Sequence, residues 1–290
     1  MRLFKAITPL IAAFVSVVVA TKAAADDLLP QLPVLGAPVP DGTALQTPFT
    51  ALAREVRFLD DLLLWIIVPI TIFVTGLLIW VIVFHNRRVN PEPARFTHNT
   101  PIEIAWTVVP ALILLFIALF TFPALRHQQI MPEADVTIKV TGFQWYWGYE
   151  YVDHGFEFSQ FMLERDELED YGYTDDLYLL ATDTAMVVPV NQNIVLQVTA
   201  ADVIHSWTIP AFGVKQDGVP GRLAELWFNA EEEGIYFGQC SELCGIAHAY
   251  MPITVKVVSE EEYLAWLERQ GAEFADAPRE SQSVQVASSD

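Results

Sequence analysis

Two stretches of the chain run without a charged residue for longer than a core helix requires. Leu62 to Phe84 covers 23 residues and Ile104 to Leu125 covers 22. At 1.5 Å rise per residue these are about 33 to 35 Å long, enough to cross a hydrocarbon layer of ~30 Å with some tilt. The pattern predicts a hairpin of two membrane helices. Pro69 and Pro110 each remove a backbone donor inside a span, which calls for a neighbouring helix or side chain to satisfy the freed carbonyl. Between the spans, Arg87, Arg88 and Arg95 outnumber Glu92 and Glu103. That excess places the short connection in the cytoplasm and both flanking parts outside.

A shorter apolar run, Ala6 to Ala20, follows Arg2 and Lys5 and precedes Ala23, Ala24 and Ala25. This is the layout of a secretory signal cleaved near Ala25; left uncleaved, it would enter with its basic end in the cytoplasm, and the sidedness would be the same. From Asp26 to Thr50, Pro30, Pro33, Pro38, Pro40, Gly36 and Gly42 punctuate a segment in which no regular structure is expected.

Past Arg126 the period shortens. Asp135 to Tyr151, Ile194 to Thr199, Val203 to Ile209, Leu226 to Phe228, Ile235 to Gly238 and Ile253 to Val258 are short β-branched or aromatic stretches separated by turn residues, as in a sandwich or barrel. If Asp135 to Tyr151 is one strand, Trp145 and Trp147 share a face, alternating with Gln144 and Tyr146. For Trp147 the ordinary explanation is core packing. Residues 155–183 form an acidic insertion, expected as a solvated loop. Ser259 followed by Glu262 is a capping-box start for a helix through about Arg269, and the last twenty residues, rich in Ala, Ser and Gln, read as disordered. The expected organisation is a signal over 1–25, a lead-in over 26–58, the hairpin over 59–125, the β domain over 126–258, and a short helix with its tail over 259–290.

Charge sharpens this division. The net charge is -20, and up to Leu125 acidic and basic residues balance at 8 each, so the whole excess lies in the β half. So acidic a chain lacks the basic footprint that nucleic acid demands. With 53% hydrophobic and 18% charged residues, long segments must lie somewhere drier than a protein surface.

The chemistry concentrates in one run, Cys240-Ser241-Glu242-Leu243-Cys244-Gly245-Ile246-Ala247-His248-Ala249-Tyr250-Met251, which holds both cysteines of the chain. In an oxidising compartment a disulfide is the ordinary fate of two cysteines. Its short ring, however, would add little loop-closure entropy and demand a tight turn. A closed zinc site could be assembled from Cys240, Cys244, His205 and His248, but Met251 has no place in it. A mononuclear blue-copper site would use two His, one Cys and an axial Met and leave one thiolate unused. With both thiolates bridging, two coppers fit, each with one histidine, and Met251 and a carbonyl of the Ser-Glu-Leu segment complete the pair.

CSELCGIAHAYMP, with VIHSWTIPAFGVKQDGVPGR and GFQWYWGYEY upstream and two membrane spans before them, resembles subunit II of the haem-copper cytochrome c oxidases of bacterial type. The likeness runs from about Phe58 to Val258. A two-Cys, two-His, one-Met loop is shared chiefly with nitrous oxide reductase, which lacks the hairpin, while related quinol oxidases have lost these ligands. The resemblance implies a cupredoxin-like Greek-key domain behind a membrane hairpin. It implies a dinuclear copper A centre held by His205, Cys240, Cys244, His248, Met251 and the Glu242 carbonyl, with the Glu242 carboxylate on a magnesium ion shared with subunit I. Trp145 is then the entry point for electrons from cytochrome c, Glu150 and Asp202 belong to its docking patch, and Glu103 marks the mouth of a proton-uptake path, although a boundary glutamate is ordinarily just a helix-end charge. Subunit I, and subunit III beside it, would be partners in a bacterial inner membrane, and oxygen reduction coupled to proton translocation would take place in subunit I. The rival reading from another class is a periplasmic copper carrier or assembly protein; a third is a zinc- or disulfide-stabilised anchor.

Overall fold

The computed structural model describes residues 32–92 and 94–271; the expected signal segment and the polar tail beyond Gly271 lie outside the described residues. Two long helices come first, α1 (Ala51–Phe84) and α2 (Thr100–Gln129), and both pass the length and hydropathy requirements of a membrane span. Their apolar side chains are almost wholly exposed, as in a lipid-facing span and unlike a core helix. Thr50 caps α1 by accepting from the Ala53 N–H, and Asn99 caps α2 by accepting from the Ile102 N–H.

Both helices outrun the uncharged stretches, and the extra turns have a use. The start of α1 packs on the β domain through buried Leu52 and Ala53. Here Arg54 makes two hydrogen bonds to Glu231 at 2.6 and 2.7 Å, and the Thr50 hydroxyl donates to the Phe212 carbonyl at 2.7 Å. Gly213 turns with φ +69, and a Cβ there would lie 2.6 Å from the Ala53 Cα. The last turn of α2 adds His127, 2.8 Å from Glu55 and edge-on to Trp227. Phe58 and Phe120 join the two helices at 5.9 Å between ring centres.

The outer domain contains β1 (Val34–Gly36), β2 (Val136–Phe143), β3 (Tyr146–Tyr151), β4 (Phe156–Gln160), β5 (Met186–Pro189), β6 (Ile194–Ala200), β7 (His205–Ile209), β8 (Val214–Gly218), β9 (Ala224–Phe228), β10 (Gly234–Gln239) and β11 (Pro252–Val258), followed by α3 (Glu260–Arg269). One sheet has the order β4-β3-β2-β6-β9, the other β1-β10-β11-β5, and β7 pairs with β8 alone. Alternation decides the faces. Val136, Ile138 and Val140 of β2, with Trp147, Tyr149 and Tyr151 of β3, point inward against Ile253, Val255 and Val257 of β11. The Tyr151 hydroxyl crosses between the sheets, donating to the Val187 carbonyl at 2.6 Å. Ser259 and Glu262 close the capping box, and α3 buries Tyr263, Trp266 and Leu267.

Three expectations are corrected. Asp135 to Tyr151 is not one strand: it folds back at Gln144 and Trp145, so Trp147 lies in β3 while Trp145 sits in the turn, and the two do not share a strand face. The lead-in before Thr50 is not wholly irregular, since β1 pairs in parallel with β10. The acidic insertion is not a plain loop. It contributes β4 to a sheet edge, and Leu163, Leu168, Tyr173, Leu177 and Ala181 form a second small core against Phe237. Its acidic residues therefore decorate a folded lobe.

Candidate metal centre

The segment 240–251 connects β10 to β11, two antiparallel neighbours, so both of its ends are anchored by a ladder. The Ser241 N–H donates to the Ser206 carbonyl of β7 at 2.9 Å, bringing the first cysteine beside the first residue of that strand, His205. Both cysteines are free and buried, with their sulfurs 3.9 Å apart. The His205 Nδ1 lies 3.8 Å from the Cys240 sulfur, and the His248 Nδ1 lies 3.5 Å from the Cys244 sulfur. The Met251 sulfur is 3.5 Å from that of Cys244, and the Glu242 carbonyl is 3.3 Å from that of Cys240. All six expected ligand residues thus converge, and each sulfur has its own histidine and its own weak donor. Soft sulfur and imidazole donors in this number fit copper.

The surroundings fix the donors. Asp202 accepts from the His205 Nε2 at 2.9 Å, which leaves Nδ1 turned toward Cys240, in the manner of carboxylate partners that orient metal-binding imidazoles. The same carboxylate accepts the backbone N–H groups of Gln144 at 2.7 Å and Val203 at 2.6 Å. Buried Trp147 donates from its indole to the Met251 carbonyl at 3.2 Å and presents its ring to His205 at 5.9 Å. Trp147 is therefore both core and support.

These contacts set the proton affinities. Burial works against the Cys240 thiolate, but hydrogen bonding with His205, with the backbone of Glu242 and Ser206 and with His248 outweighs it and brings the pKa down to about 7. Burial and the neighbouring Cys240 charge push Cys244 up to about 12. The two groups titrate as a pair that gives up its first proton near neutrality and keeps its second. Burial opposes the charged forms of His205 and Asp202 as well. Cys240 and Asp202 nevertheless raise His205, while His205 and the two backbone N–H groups lower Asp202.

The remaining expected residues lie apart from this cluster or at its rim. Trp145 is half-buried against the 240–251 segment, where a Cβ on Gly245 would meet its ring at 3.1 Å. Glu150 sits on the outer face of β3, paired at 2.8 Å with Lys139 across the ladder. The Glu242 side chain is exposed beside the cysteines. Glu103 is in the first turn of α2 at the opposite end of the hairpin, accepting the Asn99 N–H at 3.0 Å. Gln144 was not anticipated: its side-chain amide donates to the Cys244 carbonyl at 2.9 Å. The only signal in the sequence was a lone amide between aromatic residues.

Comparison with known proteins identifies the family. The family description "Cytochrome C oxidase subunit II, periplasmic domain" matches residues 136–258, and "Cytochrome C oxidase subunit II, transmembrane domain" matches residues 38–124. The chain is 58% identical over 265 residues to cytochrome c oxidase subunit 2 of Cereibacter sphaeroides, covering 86% of each. It is 46% identical over 231 residues to the probable cytochrome c oxidase subunit 2 of Rickettsia bellii, covering 79% of this chain and 84% of that one. A crystal structure of the periplasmic domain of the Bradyrhizobium japonicum subunit II is 50% identical, with a TM-score of 0.44 over 49% of this chain and 97% of that one. Matches of this extent, across both the membrane and the outer parts, make the chain a member of the cytochrome c oxidase subunit II family, a membrane-anchored subunit of an oxidoreductase complex with a periplasmic C-terminal domain.

Proposed function

We propose that the chain takes electrons one at a time from cytochrome c and passes them to the haem-bearing subunit I, where oxygen is reduced and protons are pumped. The observation that carries this reading is the pairing of each buried sulfur with its own histidine. Cys240 and Cys244 would hold two copper ions, which would supply a one-electron couple. His205 and His248 through Nδ1, Met251 through sulfur and Glu242 through its carbonyl would complete their hold.

The protein's own groups do the rest. Asp202 keeps a proton on the His205 Nε2 and so reserves Nδ1 for the metal. The buried side chains of His205, Cys240, Cys244 and Met251 keep water from the centre and hold its geometry steady. Trp145, packed against the 240–251 segment, is the entry point, and the acidic outer domain steers a lysine-rich donor toward it. Glu150 contributes to that docking face. Asp202 is oriented inward by His205, Val203 and Gln144, so its first task is positioning and its docking role is secondary. The exposed Glu242 carboxylate is the magnesium ligand toward subunit I, and Glu103 stands at the cytoplasmic mouth of a proton path. A copper carrier would need an open, labile site, and the burial of His205 on its strand and of Cys240, Cys244 and Met251 in a segment anchored at both ends speaks against one.

Replacing Trp145 by Phe tests the reading. Electron transfer from cytochrome c falls by orders of magnitude while copper content is unchanged. An unaltered transfer rate would remove the entry route.

A further inference from the structure

We infer that Gln144 is a positioning residue that couples the Trp145 indole to the copper-binding segment. The inference rests on reading Trp145 as the entry point. Among the described residues nothing hydrogen-bonds the Trp145 indole to orient it: its Nε1 is buried without a partner there. Its neighbour does the holding. The Gln144 amide donates to the Cys244 carbonyl at 2.9 Å, and its backbone N–H donates to Asp202 at 2.7 Å. Asp202 in turn accepts from the His205 Nε2. One residue thereby touches both halves of the site, the Cys244 side through its side chain and the His205 side through its backbone.

The packing is close. A Cβ on Gly245 would lie 3.1 Å from the Trp145 ring and 3.2 Å from the Gln144 Nε2. Both side chains therefore lie against the bare Gly245 backbone, just after the Cys244 carbonyl that Gln144 grips. Gln144 is exposed, a place where a glutamine without a task would stay free in water. Because Gln144 and Trp145 are covalent neighbours, the amide also completes a route of bonds plus one hydrogen bond from the entry residue to Cys244. A single electron from the ferrous haem of a soluble cytochrome would travel this route to copper held at the site; no bond forms or breaks, and Gln144 moves no proton.

The test uses the assembled oxidase carrying Gln144→Met, Gln144→Ala, Trp145→Phe, or Gln144→Met with Trp145→Phe. Methionine keeps the length of the side chain and removes the donor. In a preformed complex with reduced cytochrome c, either Gln144 substitution slows electron transfer about tenfold, as misplacement of a reacting group does. Affinity for the cytochrome, copper content and the copper spin-resonance spectrum stay as in the parent. The double variant is no slower than Trp145→Phe alone. Independently of turnover, N-bromosuccinimide oxidises Trp145 faster in the metal-free full chain once Gln144→Met releases it, as read by peptide mass spectrometry. Parent-like transfer in both Gln144 variants, with Trp145→Phe slow, overturns the inference and leaves the entry reading standing. So does weakened cytochrome affinity at an unchanged transfer rate, which would mark a docking contact. A parent-like rate in Trp145→Phe overturns the entry reading itself and this inference with it.

Discussion

Cys240 and Cys244 hold their protons very differently although their sulfurs are only 3.9 Å apart. Cys240, with its pKa brought down to about 7, is mostly thiolate at pH 8, whereas Cys244, pushed up to about 12, is fully protonated there. A metal must displace the proton that remains. Copper loading of the metal-free chain at pH 8 therefore releases at least one proton, that of Cys244, and the number climbs below pH 7 as Cys240 takes up its own. Apparent affinity falls with acidity as a result. Calorimetric titrations in buffers of different ionisation enthalpy give the count, and a count near zero at pH 8 would mean that the sulfurs are not the ligands. The ligand types were legible because they crowd into one short run. The task of Asp202 was not, because it depends on the turn that sets its carboxylate on His205; the Asp-x-x-His spacing was the only hint. Gln144 was hidden for a similar reason, since its partner, the Cys244 carbonyl, lies a hundred residues away.

The joint between α1 and the β domain is built where backbone meets backbone. Gly213 has φ +69, and a side chain there would drive into Ala53; Gly221 has φ +77 but nothing within 4 Å of its would-be Cβ. Comparing the two separates strain from collision. Gly213→Val destabilises the purified chain by about 2 to 4 kcal/mol in thermal unfolding, from backbone strain plus overpacking, whereas Gly221→Val costs about 1 to 2 kcal/mol from strain alone. Equal losses would mean that the joint gives way without resistance. The membrane helices were readable because twenty uncharged residues have few other uses. Their outer turns were not, because charged Arg54 and Glu55 look like solvent-facing residues until Glu231 and His127 are placed beside them. The hairpin turn at Gln144 and Trp145 lacks the Gly, Pro, Asn or Asp that announces a turn, so two strands looked like one. The apolar residues of the insertion, from Leu163 to Leu177, follow no strand or helix period, and the acidic side chains around them concealed a small core.

Taken whole, the molecule joins an uncharged anchor to an acidic domain whose most protected polar and sulfur groups lie between anchored strands. The net charge of -20 resides entirely in the outer half, so the field that would attract a basic donor and the site that would receive its electron occupy the same face-bearing domain. On the proposed reading, copper held by Cys240 and Cys244 would give that arrangement its purpose. The most direct measurement is the copper content of the purified full chain from copper-replete cells, taken together with its spin-resonance spectrum. The account predicts two coppers per chain and the multi-line hyperfine pattern of one unpaired electron shared by both. A copper-free, colourless chain whose two cysteines are joined to each other would contradict it.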